Sequence, residues 1–382
     1  MYDASYHDTP TDEEMLALMS SMNDGEWTTN ALGQAIVIPS DHYWRQDVIK
    51  CDQQLKRMGA MGGMLNSQRL IQPDAFGSDI VMLASDPLLE TLTTLYTVLV
   101  TLFHDTEIGQ YYRPSPYATR FLWAFGSCAY LREAGFHQPP TMSRDMAEQT
   151  VMELNQRLGA WYQSLKQPDF TYECNRNRRN SHNNYHSLCK LIAALFDRYS
   201  RLQVVRVDLS YTAIDSPYID YETARYHREQ LCETFHKHEL FHQLVGFSWK
   251  LEWQPKKGFH YHFLFFFDGH QTQQDVIQAQ RIGELWAQSI TGGQGLYYNC
   301  NLDAENKYRY NAMGSVDYHD IKKQRGLYEL ALYLTKIDDY AAMLVKGRTF
   351  QTSPKPNVSE GPRIGRPRQF ATSWSVGEVN FP

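Results

Sequence analysis

Residues 249–268, WKLEWQPKKGFHYHFLFFFD, carry two histidines one residue apart, His260 and His262, inside an aromatic run, with Glu252 eight residues before the first. Side chains two apart on a strand leave the same face, so both imidazoles are expected to project together from a rigid element. Gln254-Pro255-Lys256-Lys257-Gly258 reads as a short turn between two strands of a hairpin. Pairing Trp253 with Phe259 then sets Glu252 across from His260 and Lys250 across from His262, all on one face. Two imidazoles, a carboxylate and an ammonium would converge there. Mixed nitrogen and oxygen ligation with open positions suits Mg²⁺ or Mn²⁺ acting on a phosphate oxygen. With 14 histidines in 382 residues a lone H-x-H is commonplace, and His236-Lys237-His238 is a second one. The strand setting and Glu252 distinguish the downstream pair.

A second group of chemical interest lies in GLYELALYLTKIDDYAAML, residues 326–344. Leu327, Leu330, Leu334, Ile337 and Ala341 form an apolar stripe at helical spacing, and Tyr333, Lys336 and Tyr340 share a neighbouring face. A tyrosine can serve as covalent nucleophile in phosphoryl transfer when a metal and a cation stabilise the developing charge. A helix tyrosine more often simply packs. The weight of this one comes from its place in an ordered set of elements.

Those elements follow from pattern. Helical periodicity is expected over 85–104, 116–134, 142–166 (capped at Thr141 or Ser143) and 184–200. At LQVVRVDLSY, residues 202–211, the period changes to two, which predicts a half-buried strand. A helix at about 219–243, the histidine hairpin, a helix at about 272–290, a strand through Tyr297 and Tyr298 and a helix at about 326–345 complete an α+β unit with an antiparallel sheet at its centre. The chain thus divides into an acidic, flexible N-terminus (1–45), a helical region (46–169), a sheet domain (170–345) and a basic, flexible tail (346–382). Met15, Leu16 and Leu18 could form a short helix within the first of these.

Composition narrows the classes. With 42% hydrophobic residues the chain can bury one large core or two modest ones. Net charge is −6 but uneven: no Lys or Arg precedes Arg45, while between residues 346 and 368 Lys346, Arg348, Lys355, Arg363, Arg366 and Arg368 oppose only Glu360. Six cysteines without a C-x-x-C pair read as reduced thiols of a cytoplasmic protein. The N-terminus lacks the pattern of a signal peptide. The run PLLETLTTLYTVLVTLF (87–103) is too short for a comfortable membrane span and reads as a buried helix.

LFDRYSRLQVVRVDLSY (195–211), VGFSWKLEWQPKKGFHYHFLFFFDG (245–269), LWAQSITGGQGLYYNCN (285–301) and LYELALYLTKIDDY (327–340), in this order, resemble the three motifs of the HUH endonucleases that initiate rolling-circle replication. The closer likeness is to the inovirus replication-initiator-like family, also called the YagK/YfjJ type, over roughly residues 170 to 350. The resemblance implies an HUH-like antiparallel sheet flanked by helices and preceded by a mostly helical region. It further implies that His260 and His262 bind a divalent ion with Glu252 as third ligand, and that Tyr333 attacks single-stranded or extruded origin DNA. Lys336 would position the phosphate or metal. The product would be a 5′-phosphotyrosyl enzyme and a 3′-hydroxyl for a host polymerase. No G-x-x-x-x-G-K-[ST] loop is present, so unwinding would fall to a host helicase in the bacterial cytoplasm.

Some assignments stay open. By parity Asp208 could replace or supplement Glu252 as ligand, or be a bystander, a surface or hydrogen-bonding residue. Tyr340 could be a second nucleophile. Lys250, Lys256, Lys257, Arg363, Arg366 and Arg368 are candidate DNA contacts, as is the cluster Arg176, Arg178 and Arg179. His238-Glu239-Leu240-Phe241-His242, on the helix expected there, matches the H-E-x-x-H motif of zinc metalloproteases with Glu239 as base, a further alternative class, although the residues of its metzincin extension are absent. The Gly365-Arg366-Pro367 core of the tail would suit a minor groove, which keeps a non-catalytic DNA-binding regulator as an alternative class.

Overall fold

Alternating sequence builds three eleven-residue strands: β1 (Arg201–Tyr211), β2 (Leu244–Gln254) and β3 (Gly258–Asp268). They are the centre of a six-stranded, wholly antiparallel sheet in this computed structural model, which describes residues 11–21, 26–29, 35–38, 43–72, 79–302, 304–307 and 311–356. The spatial order is β5 (Gly314–Asp317), β1, β3, β2, β6 (Phe350–Thr352). Strand β4 (Gly295–Asn299) shares the outer edge of β1 with β5, pairing with 207–211 where β5 pairs with 201–204. In the gap between them the Asn301 side chain completes the ladder, donating to the Val204 carbonyl and accepting from Arg206 N–H, both at 2.9 Å.

The chain divides into two compact units. The sheet unit holds Asn180–Ile337 and the strand after Val345; the helical unit is Tyr43–Arg179 and takes back Asp338–Leu344. Helices over Tyr43–Met61, Pro87–Phe103, Pro116–Phe125, Ala129–Phe136 and Arg144–Ser164 surround a core that includes Leu92, Leu95, Phe121, Phe125, Leu154 and Trp161. The Pro87 helix is capped by Asp86 and buries Leu92, Leu95 and Leu99 completely. Among the described residues no helix is long and apolar enough to cross a membrane.

Several sequence expectations change. The helix expected over 116–134 breaks at Gly126–Cys128, and the helical region expected from 46 opens with a helix over Tyr43–Met61. The helix expected from 184 starts sixteen residues earlier, as α1 (Pro168–Arg198), with proline in the first turn where its missing N–H costs nothing. The boundary between the two compact units falls at residue 179, within α1. The expected helix 219–243 stops at Thr234 (α2, Tyr221–Thr234), after which Phe235 and Phe241 turn onto the aromatic rings of the sheet. The tail expected to be flexible from 346 contributes β6 before the described residues end at 356. Met15 is buried in a helix over Asp12–Ser21; most of the acidic segment lies outside the described residues.

Both faces of the sheet are buried, which corrects the half-buried strand expected at 202–211. One face is apolar: Val205, Val207, Leu209, Trp249, Leu251, Phe259, Tyr261, Phe263 and Phe265 meet Phe235 at the end of α2 and Trp286, just beyond α3 (Asp275–Glu284). The other carries Arg206, Asp208, Lys250, Glu252, His260 and His262. Towards that side lies α4 (Ile321–Lys336). Asp320 caps α4 by accepting from Lys323 N–H at 3.0 Å, so the helix begins before the expected 326. Asp338 and Asp339, unfavourable at a helix C-terminus, follow its end. Tyr340 and Ala341 therefore leave the helix, and Ala341–Met343 pairs with Tyr112–Pro114 in the helical unit.

The β2–β3 turn sets the register of the polar face. Lys257 N–H donates to the Gln254 carbonyl at 3.2 Å, Pro255 occupies the second turn position, and Gly258 follows at φ +66°. That conformation suits glycine, and a Cβ there would also collide with Ser216 Oγ. Gly258→Ala is expected to lower the unfolding free energy by about 1–2 kcal/mol from backbone strain alone, read by urea denaturation. An unchanged midpoint would show that the turn does not hold the hairpin.

Candidate metal centre

The turn pairs Trp253 with Phe259, Glu252 with His260 and Lys250 with His262, the register expected from sequence. On the other side of β3, Asp208 of β1 also lies opposite His262. Three strands therefore aim acid and imidazole side chains from one face. Glu252 Oε2 lies 3.0 Å from His262 Nε2 and 3.6 Å from His260 Nε2. Asp208 Oδ1 lies 2.7 Å from the other nitrogen of His262, Nδ1. Arg206, two residues before Asp208 and on the same face, meets both its oxygens at 3.3 Å.

Each histidine has its own electrostatics. His260 Nδ1 sits 3.0 Å from the Gly258 carbonyl, which can only accept, so Nδ1 carries the hydrogen and the Nε2 lone pair is left for another partner. Nε2 has no hydrogen-bond partner. Burial, helped by the Lys257 charge, pushes the His260 pKa down to about 4, so the ring is neutral at neutral pH. Burial also disfavours the charged form of His262, but Asp208 and Glu252 outweigh it and raise that pKa. Burial would raise the Asp208 pKa, yet Arg206 and His262 hold the carboxyl well below the usual carboxylate range.

Among the described residues Glu252, His260 and His262 form the one group able to hold a metal ion, with one donor atom from each within 4.8 Å of the others. A neutral imidazole with a free lone pair, a second imidazole and a carboxylate, all buried, are the donor set such an ion requires.

The remaining candidates separate. Tyr333 is buried on α4 with its ring 6.4 Å from that of His262 and 5.6 Å from the Arg206 guanidinium carbon. Lys336 is buried one turn further on the same helix. Tyr340 does not share their face: its ring contacts Lys56 within the helical unit. Lys250 is 1% exposed and belongs to the buried polar face. Lys256 is exposed at the hairpin tip, Lys257 half-buried beside it. Arg363, Arg366 and Arg368 lie outside the described residues. The H-E-x-x-H segment is no α-helix: only Glu239–Phe241 form a single 3-10 turn, and His238 Nδ1 accepts from Leu240 N–H. The helical spacing that would aim both histidines at one ion is therefore absent. Arg206 was missed from sequence, although its parity with Asp208 was visible.

An α+β domain with an antiparallel sheet and a buried two-histidine, one-carboxylate group beneath a tyrosine-bearing helix is the class that these observations define. Residues 170–343 match the family model of the YagK/YfjJ C-terminal domain, which supports placing this segment in that family. No curated protein and no solved structure matches the chain.

An ion at His262 Nε2 must displace a proton that the two carboxylates hold there above the usual histidine pKa. Mn²⁺ affinity is therefore expected to rise by up to roughly tenfold per pH unit below that raised pKa and to level off above it. Calorimetry in buffers of different ionisation enthalpy should show about one proton released per ion. Affinity independent of pH would mean that His262 is not a ligand.

Proposed function

We propose that this protein is a metal-assisted DNA nicking and closing enzyme of the HUH type, a rolling-circle replication initiator of a mobile element such as an inovirus. The observation that carries the reading is Tyr333: a helix presents a tyrosine beside His262, a member of the metal-capable group, with the Arg206 cation against its ring. The Tyr333 phenol oxygen would form a bond to the scissile phosphorus as the bond to the 3′-oxygen breaks, leaving a 5′-phosphotyrosyl enzyme and a 3′-hydroxyl. Mg²⁺ or Mn²⁺ held by Glu252, His260 and His262 would supply positive charge to the phosphate oxygens. Arg206 and Lys336 would add cationic charge, and Lys256 at the hairpin tip would meet the strand. Reversal of the transfer would reseal the DNA. Host helicase and polymerase would provide unwinding and extension in the bacterial cytoplasm.

Burial favours a second reading. His260, His262 and Lys336 are at most 3% exposed, as expected of a structural metal site in a DNA-binding regulator that does no chemistry.

Incubation with single-stranded DNA from the element's own origin region and Mn²⁺ separates the two. The expected result on a denaturing gel is a covalent protein–DNA adduct that disappears with EDTA and in Tyr333→Phe. An adduct that persists in Tyr333→Phe moves the nucleophile elsewhere. Tight binding of those fragments without cleavage supports the regulator.

A further inference from the structure

We infer that Asp208 and Arg206 are positioning residues of the metal centre: Asp208 clamps His262 by Nδ1 so that Nε2 faces the ion, and Arg206 ties that carboxylate to the Tyr333 ring. This rests on the metal-centre reading above and goes further by assigning the acid that the sequence left undecided between ligand and bystander.

The two carboxylates sit at opposite nitrogens of one ring. Glu252 is 3.0 Å from Nε2 and Asp208 2.7 Å from Nδ1. Lone pairs on the two nitrogens point away from each other, so an ion shared by Nε2, Glu252 and His260 lies on the far side of the ring from Asp208. A carboxylate accepting from Nδ1–H fixes the tautomer, holds the ring plane and makes Nε2 a stronger donor. His260 has the equivalent clamp in the Gly258 carbonyl, at 3.0 Å from its Nδ1. Both rings thus present Nε2, one held by a main-chain oxygen and one by Asp208.

Asp208 is itself held. Arg206 Nε and Nη2 each lie 3.3 Å from one of its oxygens. Nη2 is also 3.4 Å from His262 Nδ1, but a nitrogen that donates to Asp208 cannot accept from Arg206, so the guanidinium serves the carboxylate. The backbone beneath Arg206 is fixed by Asn301, and the guanidinium carbon lies 5.6 Å from the Tyr333 ring centre. Arg206, Asp208, His262 and Tyr333 are each at least nine-tenths buried, so this chain of contacts leaves little room for alternative rotamers. Tyr333 and the ion would then be held in one geometry by the same carboxylate–guanidinium pair.

The test uses full-length protein and Mn²⁺ alone, with affinity from the electron paramagnetic resonance of free Mn²⁺ and the number of ion-bound waters from ¹⁷O relaxation. Asp208→Ala is expected to weaken binding by roughly 10–100-fold without adding a water to the ion. Glu252→Ala should add one. Asp208→Asn, which keeps the shape and a neutral acceptor, should fall between wild type and Asp208→Ala, and it decides the matter if the alanine variant does not fold. Arg206→Gln should weaken binding in the same direction by a smaller factor. An extra water in the Asp208 variants would make Asp208 a ligand and overturn the inference. Unchanged affinity in a folded Asp208 variant, with wild type binding normally, would overturn it while leaving the metal centre standing. Wild-type protein that takes up no Mn²⁺ would remove the metal centre, and this inference with it.

Discussion

Ionisable side chains buried together on one face of a sheet must compensate one another, and the rest of the sheet unit is arranged around that constraint. Removing isolated charges from water costs several kcal/mol each. Arg206, Asp208, Lys250, Glu252, His260 and His262 all lie at or below 9% exposure. They are tolerable only because three strands hold opposite charges within contact distance in a fixed register. A one-residue slip of β2 against β3 would send Lys250 and Glu252 to the aromatic face and Trp249 and Leu251 to the polar one. The Gln254–Gly258 turn, the Asn301 patch on β1 and the full pairing of β3 on both edges all oppose such a slip.

The two faces do different work. The aromatic face supplies burial: Phe263, Phe265, Trp249 and Tyr261 are almost wholly inaccessible and interlock with Phe235 and Trp286. Packing of that quality makes the strands rigid, and rigid strands place donor atoms to within the tolerance that a metal ion or phosphate demands. The polar face then spends part of that stability on a group of charges that an apolar core would not contain. Such a departure from good core composition is what a functional site leaves in a sequence.

The helical unit stands apart from that argument. Its core is apolar, its caps are well formed, and among the described residues it contributes nothing to the metal-capable group. What it takes from the sheet segment is Asp338–Leu344, so the chain leaves the sheet unit directly after Ile337, within a few residues of Tyr333.

Local rules carried much of the fold. The hairpin and its register are legible because a proline-glycine turn and a period of two are local signals, and they place Glu252, Lys250, His260 and His262 on one face. The strand at 201–211, the Asp86- and Ser143-capped helices and the α+β class were legible for the same reason. Tertiary structure decided the rest. Burial of the polar side of β1 depends on what packs over it, which alternation cannot reveal. The early end of α4 and the loss of Tyr340 to another unit depend on a strand pairing with residues more than two hundred positions earlier. Which nitrogen of His262 each carboxylate meets, Nδ1 for Asp208 and Nε2 for Glu252, is a matter of ring orientation set by three strands at once. Sequence by itself determined which side chains share a face; only packing determined which atoms of those side chains meet, because that distance is fixed by neighbours remote in the chain.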